Sequence, residues 1–109
     1  MRKIEHFTNR AGGKGMIHME HLLDDAFKND VIKLYAKVTI DVNSSIGIHL
    51  HEYDNETYYI VSGKGRYYDN GTYYEVSSND VLFCNQGESH GIENIGNEPF
   101  VMIALIQKV

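Results

Sequence analysis

An alternation of apolar and polar residues with a period of two constrains the fold of this chain more than any other sequence feature. Side chains two residues apart lie on the same face of a strand. In residues 32–42 the apolar side chains that share one face are Leu34, Ala36, Val38, Ile40 and Val42. Polar and aromatic residues fill the other face. Two of them, Tyr35 and Lys37, face either solvent or a cavity, and we expect solvent. This segment is therefore predicted to be a half-buried strand.

The rest of the chain repeats the strand pattern in short segments. Predicted strands cover residues 16–23, 46–51, 56–62, 66–69, 72–76, 81–84, 90–93 and 100–107. Asp69-Asn70-Gly71 predicts a tight hairpin, because Asn and Gly tolerate a positive φ. Residues 24–30 allow a turn or one short helical turn. About eight to ten short strands without a substantial helix predict an all-β, antiparallel fold of the jelly-roll or barrel type.

Length and composition indicate one globular domain. The chain has 109 residues, of which 42% are hydrophobic, and this is enough for a single core. We expect residues 1–15, which end in Gly12-Gly13-Lys14-Gly15, to form a surface arm, and residues 16–109 to form the barrel domain. The only cysteine, Cys84, excludes an intrachain disulfide and is expected to be a buried thiol.

Charge and hydropathy argue against several classes of function. The formal net charge is −5 at pH 7, whereas nucleic-acid binding needs a basic face. No apolar stretch approaches the ~20 residues that a membrane-spanning helix needs. Residues 1–7 contain no apolar segment typical of a secretory signal. We therefore expect a cytoplasmic protein that binds neither nucleic acid nor membrane.

Three histidines and a glutamate stand out against the strand pattern. His49 and His51 lie two residues apart on a predicted strand, so both rings can be aimed at one point. Residues 52–55 form a polar connector that would bring Glu56 onto the neighbouring strand, while His90 would come from a strand distant in sequence. Imidazole and carboxylate groups are protein ligands of divalent transition metals. The predicted metal ligands are therefore His49, His51, Glu56 and His90.

The other three histidines do not carry this prediction. Residues three apart on a strand face opposite sides, so His18 and His21 are not expected to form a second metal site. We expect both of them, and His6, to be ordinary surface residues.

The sequence around the predicted ligands resembles the two motifs of the cupin superfamily. The first motif is Gly-x5-His-x-His-x(3–4)-Glu-x6-Gly, and it is matched by His49, His51, Glu56 and Gly63. The second motif is Gly-x5-Pro-x-Gly-x2-His-x3-Asn, and it is matched by Gly87, His90 and Asn94. The two motifs cover residues 43–63 and 79–94. The paired match implies a jelly-roll barrel that holds a metal ion.

The chain departs from the two motifs at three positions. Asn43 and Asn79 stand where the first glycine of each motif is expected, and Asn85 replaces the proline. Asn is the residue other than Gly that best tolerates the left-handed region of φ/ψ space, so we expect both turns to be kept. None of the departures touches a predicted ligand.

The resemblance implies one divalent transition metal ion, with Mn, Fe, Ni and Zn all open. Three neutral imidazoles and one carboxylate leave such an ion with a net charge of about +1 and, in an octahedral arrangement, two open positions. Those positions suit an oxygen-bearing small molecule, such as a carboxylate or a sugar. The resemblance also implies a homodimer paired through an N-terminal strand. Residues 16–23 are the candidate, because they are expected to form an exposed sheet edge that a second copy would cover.

Two functions stay open at this point. Small cupins include isomerases, lyases, decarboxylases and dioxygenases, which implies a metal-dependent enzyme acting on a small sugar-derived or carboxylate substrate. The alternative is a non-catalytic module that binds or senses a small molecule through the metal. Tyr58 shares the face of Glu56 and is the candidate for acid–base help, unless it only fills the barrel. Further candidates to line the cavity are Ile60, Ile92, Met102 and Ala104. The parity of the last strand stays open, because Val101, Ile103 and Leu105 on its other face are equally apolar.

Overall fold

Antiparallel strands make up most of the structure, a computed structural model that describes residues 2–109. In chain order the strands of this part of the chain are β1 (Ile4–Thr8), β2 (Met16–His21), β3 (Ile32–Ile40), β4 (Ser45–Leu50), β5 (Asp54–Ser62), β6 (Lys64–Asp69), β7 (Thr72–Ser77), β8 (Val81–Cys84), β9 (Ser89–Asn94) and β10 (Phe100–Lys108). Two 3-10 turns lie at Arg10–Gly12 and Asp25–Phe27.

The strands form two sheets that face each other. The larger sheet has six strands in the order β1-β2-β3-β10-β5-β8, and the smaller has four in the order β4-β9-β6-β7. Strands distant in sequence are neighbours in both sheets, for example β3 beside β10 and β4 beside β9. The all-β jelly-roll prediction is confirmed.

The core lies between the two sheets and is built by alternate residues of each strand. In β3 the buried side chains are Ala36, Val38 and Ile40, as the period-2 pattern predicts. Tyr35 and Lys37 point the other way and are exposed, so their predicted solvent orientation is also confirmed. Other strands contribute large buried side chains, which include Ile17, Tyr58, Ile60, Tyr67, Ile92, Phe100 and Met102.

Two asparagines hold the left-handed backbone that the sequence predicts for them. Asn43 has φ 61° and Asn79 has φ 74°, while Gly63 and Gly87 also have positive φ. Asn43 lies in the turn that leads into β4, and Asn79 lies in the turn between β7 and β8. Both turns therefore keep their shape without glycine.

The N-terminal segment joins the larger sheet. Residues 4–8, inside the segment expected to be an arm, form β1 and pair with β2. β2 in turn pairs with β3 on its other side. The expectation that residues 16–23 present an exposed sheet edge is therefore wrong, because β1 covers that edge. The edge strands of the larger sheet are β1 and β8.

Among the described residues, no helix combines the length and apolar character needed to cross a membrane.

Candidate metal centre

The four predicted ligands come together from both sheets. β4 and β9 pair so that His49 lies directly opposite His90. His51 follows the end of β4, and its backbone is held by hydrogen bonds with the loop before β9: the Gly87 amide donates to the His51 carbonyl at 2.7 Å. Glu56 comes from β5 in the opposite sheet. The site therefore lies between the sheets, at one end of the core.

The candidate ligand atoms converge on one point. Nε2 of His51 lies 3.0 Å from Nε2 of His90, and the two atoms lie 3.1 and 2.9 Å from Oε1 of Glu56. Nε2 of His49 is 3.8 Å from the same oxygen. One ligand atom from each of the four residues fits within a span of 4.8 Å. His51, Glu56 and His90 are buried, and His49 is partly exposed.

In each of the three predicted ligand histidines, Nδ1 has its own partner. Nδ1–H of His49 donates to the Gly47 carbonyl at 2.8 Å, and Nδ1–H of His51 donates to Asp54 Oδ1 at 2.6 Å. Nδ1 of His90 lies 2.8 Å from the Tyr67 hydroxyl. A partner that accepts a hydrogen bond from Nδ1–H, as the Tyr67 hydroxyl oxygen can, orients the ring and leaves the Nε2 lone pair free to bind a metal. All three rings are thus arranged with Nε2 facing the common point.

These distances fit a divalent metal ion. Metal–ligand distances of ~2.0–2.2 Å place two ligand atoms about 3 Å apart at a right angle and about 3.4 Å apart at the tetrahedral angle. The observed separations of 2.9–3.1 Å match the right-angle case, and the 3.8 Å separation is slightly wider. Two imidazole nitrogens and a carboxylate oxygen this close are stabilised by a positive charge between them, either a metal ion or a shared proton. The cluster can therefore hold a metal.

The electrostatics of the cluster favour an ionised Glu56. Burial acts to raise the pKa of Glu56, but the interactions with His49, His51 and His90 outweigh it and hold that pKa far below its usual range. The hydrogen bond to Glu56 raises the pKa of His51, whereas burial lowers the pKa of His90. The carboxylate is thus kept as an anion among the three imidazole rings.

A cavity of about 340 Å³ opens onto the cluster. Its walls include His49, His51, Glu56 and Tyr58, and much of the remaining lining is an aliphatic wall. The aliphatic wall consists of Ile17, Met19, Leu34, Ile46 and Ile106. Arg10 and Ala11, from the 3-10 turn after β1, complete the lining. The space suits a small molecule that brings its polar atoms to the ligand cluster.

Tyr58 is the only one of the predicted cavity residues that lines this space. Its ring stacks on His90, with ring centroids 4.9 Å apart and an interplanar angle of 15°. Burial and the nearby Glu56 charge raise the pKa of Tyr58 well above its usual value, so the hydroxyl stays protonated. The other four candidates are buried in the core and do not line this cavity: Ile60, Ile92, Met102 and Ala104.

Three polar side chains of the site are absent from the sequence prediction. Asp54 precedes Glu56 by two positions, so strand parity could have placed it beside the site. Tyr67 supports His90 from β6, a strand whose position relative to β9 the sequence does not specify. Arg10 reaches the cavity from a turn that has no sequence motif.

Comparison with known proteins agrees with this geometry. The family model described as Cupin domain matches residues 36–106, a segment that contains all four predicted ligands. The chain belongs to the cupin family. This cupin is 40% identical over 102 residues to a Thermotoga maritima protein named Oxalate-binding protein, covering 94% of this chain and 84% of the relative.

Solved structures show the same architecture. A structure described as a predicted oxalate decarboxylase from Thermotoga maritima matches this cupin with a TM-score of 0.92 and 39% identity, covering 99% of this chain and 94% of the other. The polyketide cyclase RemF from Streptomyces resistomycificus matches with a TM-score of 0.78 and 21% identity, covering 97% of this chain and 73% of the other. At that identity the second match supports the fold alone.

Proposed function

We propose that this cupin binds a small carboxylate, with oxalate as the first candidate, at a divalent metal ion held by His49, His51, Glu56 and His90. The observation that carries the proposal is the convergence of these four side chains beside a small cavity with aliphatic walls. The similarity to a protein named for oxalate binding supports the choice of ligand. A compact anion with paired oxygen atoms also suits a site of net positive charge.

When bound, the metal supplies a Lewis-acidic centre for the oxygen atoms of the ligand. The protein supplies the rest. Asp54 and the Gly47 carbonyl hold the rings of His51 and His49 in position, and the aliphatic wall limits water around the bound anion. Charge–charge attraction is stronger in such surroundings than in water.

Calorimetric titration of oxalate into metal-loaded and metal-free protein tests the proposal. Metal-loaded samples should be prepared separately with Mn, Fe, Ni and Zn, since the ligand set alone does not select among them. We expect oxalate to bind only to loaded protein, and a neutral sugar diol to bind more weakly. Equal binding of oxalate to both forms would contradict the proposal.

Turnover at the same site is the second candidate function, and Tyr58 is the observation that favours it. Decarboxylation of oxalate breaks its C–C bond and places a proton on the carbon that becomes formate. Tyr58 lines the cavity and its hydroxyl is protonated, so it is a candidate to donate a proton or a hydrogen bond.

Product analysis separates turnover from binding. Loaded protein is incubated with oxalate, and formate and carbon dioxide are followed by mass spectrometry. An enzyme should form both, and Tyr58→Phe should slow their formation while leaving oxalate affinity nearly unchanged. Recovery of all the oxalate without formate or carbon dioxide would contradict turnover and would be compatible with binding alone.

We propose that the chain self-associates through β1 rather than through residues 16–23. β1 is an edge strand of the six-stranded sheet, and its outer backbone groups are available to a second copy of the chain. Light scattering coupled to size-exclusion chromatography should give the mass of two chains. The mass of one chain would remove the homodimer. The cytoplasmic location stays a prediction.

A further inference from the structure

Arg10 lines the cavity but is not one of the four predicted metal ligands. Among the described residues that line this cavity, it is the only basic side chain apart from the histidines. It comes from the 3-10 turn between β1 and β2, whereas the ligands come from β4, β5 and β9 and the residue after β4. The turn therefore adds a positive charge to a cavity that already contains a cation-binding cluster.

The turn is docked firmly on β4. Asn9 and Ala11 both adopt left-handed backbone, with φ 53° and 54°. A Cβ atom added to Gly47 would lie only 2.1 Å from the Ala11 carbonyl oxygen, so the turn rests directly on this glycine. The Ser45 amide donates to the Lys14 carbonyl at 2.8 Å. Strained backbone persists where the surroundings enforce it, and here those contacts place the turn on the strand that carries His49.

The guanidinium group of Arg10 is held over an aromatic ring. Its Cζ lies 4.2 Å from the centre of the Phe7 ring, and Phe7 itself packs against the core. Within residues 2–109, no carboxylate forms an ion pair with Arg10, while Arg2 pairs with Glu20. A guanidinium that stacks on an aromatic face keeps its edge N–H groups free for a carboxylate.

We infer that Arg10 is the second anchor of the bound ligand and selects a small dicarboxylate over a monocarboxylate or a neutral diol. This inference rests on the function proposed above. The ligand cluster engages one set of carboxylate oxygens, and the guanidinium pairs with oxygens that face the cavity mouth. A dianion matches two positive centres in one cavity, whereas acetate leaves the second centre without a partner.

Replacement of Arg10 tests the inference in protein loaded with Mn. Oxalate, malonate and acetate are titrated into wild-type protein, Arg10→Gln and Arg10→Lys, and metal content is measured for each. Charge-assisted hydrogen bonds of this kind account for about ten- to a hundredfold in affinity. We expect Arg10→Gln to lose that factor for oxalate and less than about threefold for acetate, and Arg10→Lys to recover part of the loss.

Arg66→Gln is the matched control. Arg66 also lies over an aromatic ring, with its Cζ 4.8 Å from the Tyr73 ring centre, but it does not line the metal cavity. Its replacement should leave all three affinities and the metal content unchanged.

A second variant moves the turn without removing the charge. A Cβ atom added to Gly13 would lie 2.3 Å from the Ser45 carbonyl oxygen, so Gly13→Ala should displace the turn from β4. We expect weaker oxalate binding at unchanged metal content.

The outcomes separate the two proposals. Wild-type affinity of Arg10→Gln for oxalate, together with metal-dependent binding by the wild-type protein, overturns the role of Arg10 and leaves the proposed function intact. Failure of the loaded wild-type protein to bind any dicarboxylate overturns both.

Discussion

The six histidines of this chain form two groups of three that differ in what their nitrogens face. In the candidate metal centre, His49, His51 and His90 direct Nε2 toward one carboxylate oxygen. On β1 and β2, the histidines have separate partners. His6 and His18 contact each other through Nδ1 at 2.7 Å, and His21 Nε2 lies 2.6 Å from Glu5. The number of imidazoles is equal, but only the first group converges.

Both groups contain a histidine–carboxylate pair, so the pair itself does not define a metal centre. Asp54 accepts from Nδ1 of His51 at 2.6 Å, and Asp41 lies 2.9 Å from Nε2 of His18. In the first pair the opposite ring nitrogen points at Glu56, which is buried; in the second it points at the exposed His6. Convergence on a buried anion is what makes the first group suited to a metal.

Glu56→Gln should break the metal centre most severely. The substitution keeps the size of the side chain but removes the anion that the three imidazoles surround. We expect metal affinity to fall by more than about a hundredfold, beyond what loss of an outer hydrogen bond causes. Competition with a fluorescent chelator and elemental analysis measure it, and Glu20→Gln on β2 is the control. Unchanged metal content would show that Glu56 is not a ligand.

Metal removal should destabilise the protein through the same centre. A metal present at a hundred times its dissociation constant stabilises the native state by about 2.7 kcal/mol. For a domain of this size that corresponds to a melting temperature higher by about 10 °C or more. Thermal unfolding with and without EDTA measures the difference. The same melting temperature in both samples would contradict a metal that binds the folded state preferentially.

The His51–Asp54 and His18–Asp41 pairs allow a matched comparison. Asp54→Asn removes the charged acceptor that orients His51, and metal affinity should fall by about ten- to a hundredfold. Asp41→Asn makes the same change beside His18 and should leave metal affinity as it is. If the two variants bind metal equally well, the orientation of His51 by Asp54 does not contribute to metal affinity.

The smallest effect is expected in the group on β1 and β2. His18→Gln removes a partly exposed ring that contacts His6 and Asp41. Exposed ion pairs contribute less than about 1 kcal/mol, so the free energy of unfolding should change little. Chemical denaturation measures it. A loss of metal in this variant would show that the second group takes part in binding after all.

Local patterns were sufficient to predict most of the fold and all of the cluster. Period-2 alternation predicted β3 and most other strands, because burial on one face imposes that period on any strand. The spacing from His49 to Glu56, together with the motif around His90, predicted the residues that the structure brings together. Asn43 and Asn79 were predicted to keep their turns because their conformational preference is intrinsic to the residue.

Local sequence patterns did not predict the contacts between distant segments. β1 carries no long alternation, so its pairing with β2 was missed and residues 16–23 were wrongly expected to be an edge. Tyr67 reaches His90 only because β6 and β9 are neighbours in the smaller sheet. Strand order depends on the packing of the whole chain, which no window of sequence contains.

The sequence by itself thus determined which residues are chemically able to bind a metal, since ligand chemistry belongs to the side chain and strand parity to the local backbone. The tertiary structure decided which nitrogens converge, which partners hold them, and that Arg10 stands in the same cavity. Those features depend on distances between residues far apart in the chain, and only the packing of one sheet on the other sets such distances.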